Sequence, residues 1–520
     1  MPDISPDMIT SDFSADIVIV GGGHAGTQCA MAAAEGGLSV LVIERQTEEK
    51  MSWFGEQIAA YNSKFHIERG FGPYDTDDII DELYRCSGYL ADPVLIAKYV
   101  ENSGEMIDHM MTLVTKDSTL FQPEQFDIQE AWGKPQYPVV IGGHRSWAAT
   151  MIFRGKIIEE RGGPEYKYPE RGSDYQVNQL SRLPEFEMLA LHRSVELGAE
   201  WHYGARAVAI CQESDGRVTG VIAKMSDGNF ARFKAGKAVV LSSGNFSSTG
   251  LDLGLWAGGY TEPVTNLRTQ MNHVRHGFGT APFLTLNRDG NRFMDESIPY
   301  AVPFALDQQP DGTVCCISDA KIFRQIQQCG IQHGNADFGR PEYINQSLED
   351  ISHVKEYGSE GYLVRDMNTS EREKHRMFAT DTLDELAVYM GYEGEHKENF
   401  LRSVERYNQM CYRGKDTDFR KDPKTLLPVD EPPFYGMKDN LKRENRTGGD
   451  TPLGLVADGN FKVLRPNGDP IPGLYAIGNC LGRRFGTYYP TPSGGQYIGF
   501  AMTHGRVLGK ELSEKKARLV

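Results

Sequence analysis

The sequence predicts an α/β fold built on a Rossmann-type βαβ unit, and three features carry that expectation. The first is the stretch Asp16 to Glu44, DIVIVGGGHAGTQCAMAAAEGGLSVLVIE. In it an apolar run of strand length meets a glycine-rich turn, a helix of small residues, a second apolar run and a closing acid. The second is a pair of Asp-Gly turns, Asp215-Gly216 and Asp227-Gly228, each flanked by strand-like runs. The third is the return of Gly-rich, strand-like sequence after about Thr447, far from the first unit. Together they predict a discontinuous dinucleotide-binding domain, residues 1–278 and 444–520, with an α+β capping domain inserted at 279–443.

Within the first unit the spacing assigns roles. Gly21 allows the tight turn. Gly23 lets the backbone approach a pyrophosphate seated on the helix N-terminus, where free N–H groups converge. Gly26 lets helix and strand pack closely, with Ala25 in the same turn. Glu44 lies 18 residues after Gly26, where its carboxylate accepts from the hydroxyls of an adenosine ribose, and Arg45 follows it.

The totals exclude several classes. A chain of 520 residues is too long for one small core. The net charge of −16 argues against nucleic acid, because phosphate contacts need clustered Lys and Arg. No apolar run reaches the roughly 20 residues that span a bilayer, and the polar start, MPDISPDMITSDFSAD, lacks the basic and apolar regions of a secretory signal. The 8 cysteines are scattered without CxxC or CxxCH, which points to a reducing, cytoplasmic setting. His273 and His276 have no Cys or carboxylate neighbours in sequence, so no metal is expected.

After Glu44 an irregular aromatic stretch gives way to a strongly helical one from Asp75 to Val114, and Phe121 to Gly172 reads as loops. A helix, LPEFEMLALHRSVELG, precedes the meander with the two Asp-Gly turns. That meander ends in AVVLSS and then Gly244-Asn245, a place for backbone to touch a cofactor. FLTLNRDGNRFMDESIPYAVPF reads as a hairpin about Asp289-Gly290. A polar, helix-rich region follows, with Thr382 and Glu385 in capping-box spacing. The chain closes with IPGLYAIGNCLG and GGQYIGFAMTHG. The latter starts a helix after Gly494-Gly495, suited to stabilise negative charge on a cofactor.

These pieces, in this order, resemble the fumarate-reductase-like FAD flavoproteins, a superfamily that includes fumarate and urocanate reductases and the 3-ketosteroid dehydrogenases. The segments that carry the likeness are the βαβ start, VVLSSGNF, NRDGNRFMDE, DTLDELA, ERYNQMCYRGKDTDF, PPFYG, GLVADGNFKVL, IPGLYAIGN and GGQYIGFAMTHGRVLG. The resemblance implies FAD as cofactor, contacted also by Gly244, Asn245, Gly478, Asn479, Gly494, Gly495 and Ile498, with substrate held between flavin and cap. One departure is that SWFGEQIAAYNSKFH replaces the GGxSxxSGG-like segment, so flavin contacts in 51–66 do not carry over.

The same likeness sorts the branch. Fumarate-type members carry a proton-donating Arg four residues after RFxxE. Here RFMDE runs from Arg292 to Glu296, and the fourth residue on is Tyr300. Their His before a Gly-Gly-Leu strand is missing from DTPLGL, and Pro492-Ser493 replace their Arg before the last Gly-Gly. Two carboxylates would be poorly paired without these groups. ESIPY instead resembles the 3-ketosteroid dehydrogenase branch, as does Gly478-Asn479 in place of a Gly-Glu. This implies Tyr300 in proton transfer, Tyr489 (or its rival Tyr488) with the Gly495 N–H as carbonyl donors, and Tyr137 as a third pocket tyrosine. The implied activity is hydride transfer at flavin N5 across a CH–CH or C=C bond α,β to a carbonyl. The substrate would be a 3-ketosteroid or similar bulky enone, with an unidentified redox partner. Two alternatives are a reductase of small unsaturated carboxylic acids, using Arg483 and Arg484, and a non-catalytic flavin electron-transfer subunit. Arg292 and Glu296 read as a structural pair, and His504 as a helix residue near the flavin.

Overall fold

A computed structural model of the protein describes residues 4–53, 55, 57–115, 126–128, 137–153, 183–244, 249–261, 282–297, 305, 308–322, 351–363, 376–440, 453–486 and 492–517. In chain order these form β1 (Ile9–Val20), α1 (His24–Glu35), β2 (Val40–Ile43), β3 (Gln57–Ala59), α2 (Lys64–Glu68), α3 (Thr76–Cys86), α4 (Pro93–Thr115) and β4 (Phe126–Ile128). Then come β5 (Val139–Ile141), β6 (His144–Ser146), β7 (Thr150–Phe153), α5 (Leu183–Glu196), β8 (Glu200–His202), β9 (Arg206–Gln212), β10 (Val218–Lys224), β11 (Phe230–Leu241) and α6 (Thr249–Trp256). The remainder gives β12 (Leu284–Asn287), β13 (Thr313–Ser318), β14 (Tyr362–Leu363), β15 (Arg376–Thr380), α7 (Leu383–Tyr389), α8 (Gly394–Arg413), β16 (Phe434–Asn440), β17 (Lys462–Leu464), β18 (Pro470–Ala476) and α9 (Gln496–Ala517).

The main sheet runs β17-β18-β11-β1-β2-β8, with β10 and β9 branching from β11. Its two long strands change character along their length. In β11, FARFKAG alternates between buried and more open residues, and AVVL is buried throughout. The alternating half pairs antiparallel with β10, through the predicted Asp-Gly turns. The apolar half pairs parallel with β1 and β18, with α1 and α9 on one face and the β9–β10 meander and α6 on the other. β1 changes in the same way, from ITSDFSAD to the wholly buried IVIV. The βαβ unit is thus parallel, with Ile17 opposite Val40 and Ala238.

Small residues let α1 lie directly on α9. A Cβ added at Gly505 would stand 2.2 Å from the carbonyl oxygen of Ala25, and one at Gly509 would stand 2.7 Å from that of Cys29. The last helix therefore holds the first.

A five-stranded antiparallel sheet, β12-β13-β16-β15-β14, gathers sequence from 284 to 440. Alternate residues face opposite sides. Phe378 and Phe434 join Leu386 of α7, Met390 just after it, and Phe400 and Val404 of α8, whereas Met377, Ala379, Tyr435 and Met437 pack with Ile322 and Val354. Strands at this density were not expected in a region read as polar and helix-rich. Its polar character belongs to the outer face of α8, while the strands are short and interrupted. Thr382 caps α7 as predicted, accepting from the Glu385 N–H at 3.2 Å, but the Glu385 carboxylate turns outward to the Tyr389 hydroxyl.

Two other expectations change. The region from Phe121 to Gly172 is not all loop. It contains the hairpin β5–β6, turned by Gly142 and Gly143 at φ 58° and 77°, and the strands β4 and β7, which form a sheet with the earlier β3. These strands are three or four residues long, too short for alternation to show. The Asp289-Gly290 turn forms, yet only one bridge, Leu286 to Arg292, follows it, and β12 takes β13 as its ladder partner. Past that bridge the pairing stops, and the Arg292 guanidinium binds the Glu296 carboxylate at 2.8 Å and Asp416 at 2.8 Å. Lys421 lies 3.3 Å from Glu296, completing a buried ion cluster under Tyr407. Arg292 and Glu296 are a structural pair, as read.

Among the described residues no helix is long and apolar enough to cross a membrane.

Candidate cofactor and active site

The turn after β1 has the shape its glycines require. Gly21 has φ 101°, and a Cβ on it would stand 2.5 Å from the Cα of Ser243. A Cβ on Gly26 would fall 2.0 Å from the Gly21 carbonyl oxygen, so only glycine lets α1 approach this closely. Gly23 is the N-cap of α1 and makes no side-chain cap, and a Cβ there would meet nothing within 4 Å. The first N–H groups of α1 therefore face an open cradle, which suits a pyrophosphate. Ala25 is buried behind it.

Glu44 is buried at the end of β2. Its Oε2 accepts from the Gly22 N–H at 2.8 Å and its Oε1 from the Gln46 N–H at 2.8 Å. Both oxygens keep further lone pairs for ribose hydroxyls. Arg45 beside it is exposed.

Gly244 follows β11 with φ 101°, and a Cβ on it would again meet open space. Asn245 lies outside the described residues. Gly478 has φ 59°, and a Cβ on it would stand 2.7 Å from the Cβ of Ala25, so residues 478–479 sit over the first turn of α1. Asn479 accepts from Arg484 Nη1 at 3.0 Å.

At the start of α9, Gly494 accepts from the Thr150 hydroxyl at 2.9 Å, and Gly495 accepts from the Ala59 N–H at 3.1 Å. A Cβ on Gly495 would be 2.6 Å from the backbone of Gln57, so β3 lies against this turn. Ile498 packs on Gly55, where a Cβ would come within 2.3 Å of its Cδ1. The segment from Met51 to His66, which carried no family pattern, thus supports both the cradle and the last helix.

Three groups were missed by reading the sequence. Trp53 donates to the Gly22 carbonyl and the Thr27 hydroxyl, both at 3.2 Å, and braces the glycine turn. His24 Nδ1 lies 2.7 Å from Oε1 of the buried Glu187 on α5, and Gln28 donates to its other oxygen at 3.1 Å. Tyr61 takes a hydrogen bond from Gln496 at 3.0 Å, and burial pushes its phenol up to about 12. Position in the chain gives no signal for any of them; each depends on a long-range contact.

Tyr137 packs with ring centroids 6.1 Å from both Phe71 and Tyr74. It touches the apolar clusters that include Ile498 and Met502 on one side and Tyr61, Tyr497 and Phe500 on the other. Its hydroxyl is buried, finds no hydrogen-bond partner among the described residues, and is raised by burial to about 12. Tyr300, Tyr488 and Tyr489 lie outside the described residues, as do His273 and His276. His504 is a buried residue of α9 that meets the Leu95 carbonyl at 3.0 Å.

The two arginines of the acid-binding alternative are both engaged. Arg483 pairs with Asp92 at 3.8 Å, and Arg484 binds the Leu481 carbonyl at 2.7 Å as well as Asn479. Among the described residues one group, Glu82, Cys86 and His144, brings metal-ligand atoms within 4.8 Å of one another. Glu82 is already matched by two guanidiniums, Arg85 at 2.6 Å and Arg145 at 3.3 Å.

A βαβ cradle with an uncapped glycine N-terminus, a buried ribose acid and a second glycine turn over the same helix defines a dinucleotide-dependent oxidoreductase site. The chain belongs to the FAD binding domain family, whose model matches residues 16–495, and FAD is its cofactor. It is 24% identical to the vinyl phenol reductase of Lactiplantibacillus plantarum, over 96% of this chain and 97% of that one. It is 23% identical to the 4-oxocyclohexanecarboxylate 2-dehydrogenase of Sinomonas cyclohexanicum, over 96% and 93%. Among solved structures it is similar to the 3-ketosteroid-Δ4-(5α)-dehydrogenase of Rhodococcus jostii RHA1. That match has a TM-score of 0.65 and 19% identity, covering 98% of this chain and 99% of that one. The protein is a FAD-dependent oxidoreductase.

Proposed function

We propose that the protein transfers hydrogen across a CH–CH or C=C bond conjugated to a carbonyl or similar acceptor, on an uncharged, ring-containing substrate such as a 3-ketosteroid or a smaller cyclic enone. The observation that carries this reading is the buried hydroxyl of Tyr137, without a hydrogen-bond partner among the described residues, in a wall of Phe71 and Tyr74. A neutral phenol in an aromatic wall suits a carbonyl oxygen, and a carboxylate there would lose its hydration without a countercharge. The names of the two relatives, a reductase of a vinyl phenol and a dehydrogenase of 4-oxocyclohexanecarboxylate, support the same bond type and a ring, the second with a carboxylate on it. The engagement of Arg483 and Arg484 elsewhere supports it over the small-acid alternative.

FAD, when bound, supplies hydride transfer. The chain's part is to move a proton at the phenol of Tyr300, to hold the substrate carbonyl with Tyr489 (or Tyr488), Tyr137 and the Gly495 N–H, and to keep water out. The cap would be residues 279–443, between FAD-domain segments 1–278 and 444–520, and the electron donor or acceptor a separate partner.

The test is anaerobic. Reduced enzyme is mixed with cyclic enones, vinyl phenols and acrylate-type acids, and the return of the oxidised flavin spectrum is timed. Ring substrates should reoxidise it within the mixing experiment, and Tyr300→Phe should retain FAD and lose this reaction. Reoxidation by acrylates alone would favour the small-acid reading; none by any compound would favour the electron-transfer subunit.

A further inference from the structure

We propose that Arg484 is a positioning residue that fixes the polarity of the Asn479 amide, so that Asn479 presents an N–H to an oxygen acceptor of bound FAD. The proposal rests on the reading that Asn479 lines the cofactor site.

Arg484 is 1% exposed, and Phe485 and Tyr497 lie against its guanidinium at 4.8 and 5.2 Å. It is tied at two points: Nε donates to the Leu481 carbonyl at 2.7 Å and Nη1 to Asn479 at 3.0 Å. A guanidinium has donors and no acceptor. The amide atom facing it must therefore be the oxygen, because a flipped amide would set N–H against N–H inside the protein. The planar fork, already bound to Leu481, holds that orientation better than a flexible ammonium would.

The consequence falls on the other half of the amide. Nδ2 points away from Arg484, and no acceptor meets it among the described residues. The backbone carries it to the cradle: Gly478, at φ 59°, stacks on Ala25 of α1. An outward donor above a helix N-terminus matches an anionic or carbonyl oxygen of the cofactor. An outward carboxylate oxygen would repel one.

The experiment measures FAD affinity of the apo-protein by flavin fluorescence quenching. Asn479→Asp keeps an oxygen for Arg484 and replaces the outward donor by an acceptor. It should weaken FAD binding by about tenfold or more, and more than Asn479→Ala does. Arg484→Lys should weaken binding several-fold when Asn479 is present and by less than about twofold in the Asn479→Ala background, as coupled residues do. Wild-type affinity in both Asn479 variants would show that Asn479 is outside the site, and the underlying reading would fail. Loss in Asn479→Ala that Asn479→Asp does not exceed, or an Arg484→Lys effect equal in both backgrounds, would overturn the polarity role alone. The Asn479 pair tests the proposal even where an Arg484 variant folds poorly, since Asn479 is not in the core.

Discussion

Nδ1 of His24 lies 2.7 Å from Oε1 of Glu187, tying the first residue of α1 to the middle of α5. Gln28, one turn further along α1, binds the second carboxylate oxygen. Glu187 is fully buried, so removing it takes a carboxylate acceptor from two polar side chains. Glu187→Leu is expected to destabilise the apo-protein by about 1–3 kcal/mol for each group left unsatisfied and to weaken FAD binding by loosening the cradle. Glu187→Gln, which keeps an acceptor, should do less than half of this. Urea unfolding and FAD titration of both variants check it.

Stability should fall on mild acidification, and two buried histidines set the window. Burial holds His66 and His504 down to about 3. For His504 the physical reason is visible: Nε2 meets the Leu95 carbonyl, and among the described residues Nδ1 has no partner to receive a second proton's N–H bond. The unfolded chain binds those protons below about 6.5 and the folded chain does not. Their contribution is complete above that pH and is lost as pH falls towards 3, at about 1.4 kcal/mol per unit for each histidine. His504→Gln should flatten the dependence of the urea midpoint between pH 6.5 and 4 by roughly half. Asp416 adds a second loss at lower pH. Burial alone would raise it, but Arg292 and backbone N–H groups lower it to about 2. Its contribution is therefore complete above about 4 and gone once pH passes below 2.

Glu296→Ala should be among the most damaging single changes. It leaves Arg292 and Lys421 buried with one carboxylate, Asp416, between them. Breaking a buried charge set in this way costs about 3–5 kcal/mol, which would show as loss of soluble protein or a large fall in the urea midpoint. Arg292→Met with Glu296→Leu should recover part of that loss, because it removes both members of the pair together.

Tyr137→Phe separates packing from function. The hydroxyl has no hydrogen-bond partner among the described residues, so stability should be unchanged or slightly raised. If the hydroxyl serves the substrate carbonyl, kcat/KM should fall by about 10–100-fold. An unchanged rate would remove Tyr137 from the site and leave it as packing.

The sequence was most legible where local rules act alone. GxGxxG, the closing Glu44, the hairpins at Asp215-Gly216 and Asp227-Gly228 and the Thr382 cap depend on neighbours a few residues away, and each formed where read. The strands between 126 and 153 escaped because three residues cannot display alternation. The brace from Trp53 and the Glu187 link escaped because each joins residues remote in the chain, and the Arg484–Asn479 bond, though only five residues long, follows no regular helix or turn spacing. Tyr300 and Tyr489 rest on the family likeness and their spacing from RFMDE and the last Gly-Gly.

The contact between α1 and α9, and the insertion of β18 beside β11, have a consequence for synthesis. The opening strand and helix emerge from the ribosome hundreds of residues before the helix and strand that shield them. Until the final segment arrives, the alanine face of α1 and one edge of the main sheet stay open to other chains. Premature termination upstream of Pro470 should therefore yield an aggregating, flavin-free product, even though every glycine of the opening turn is present.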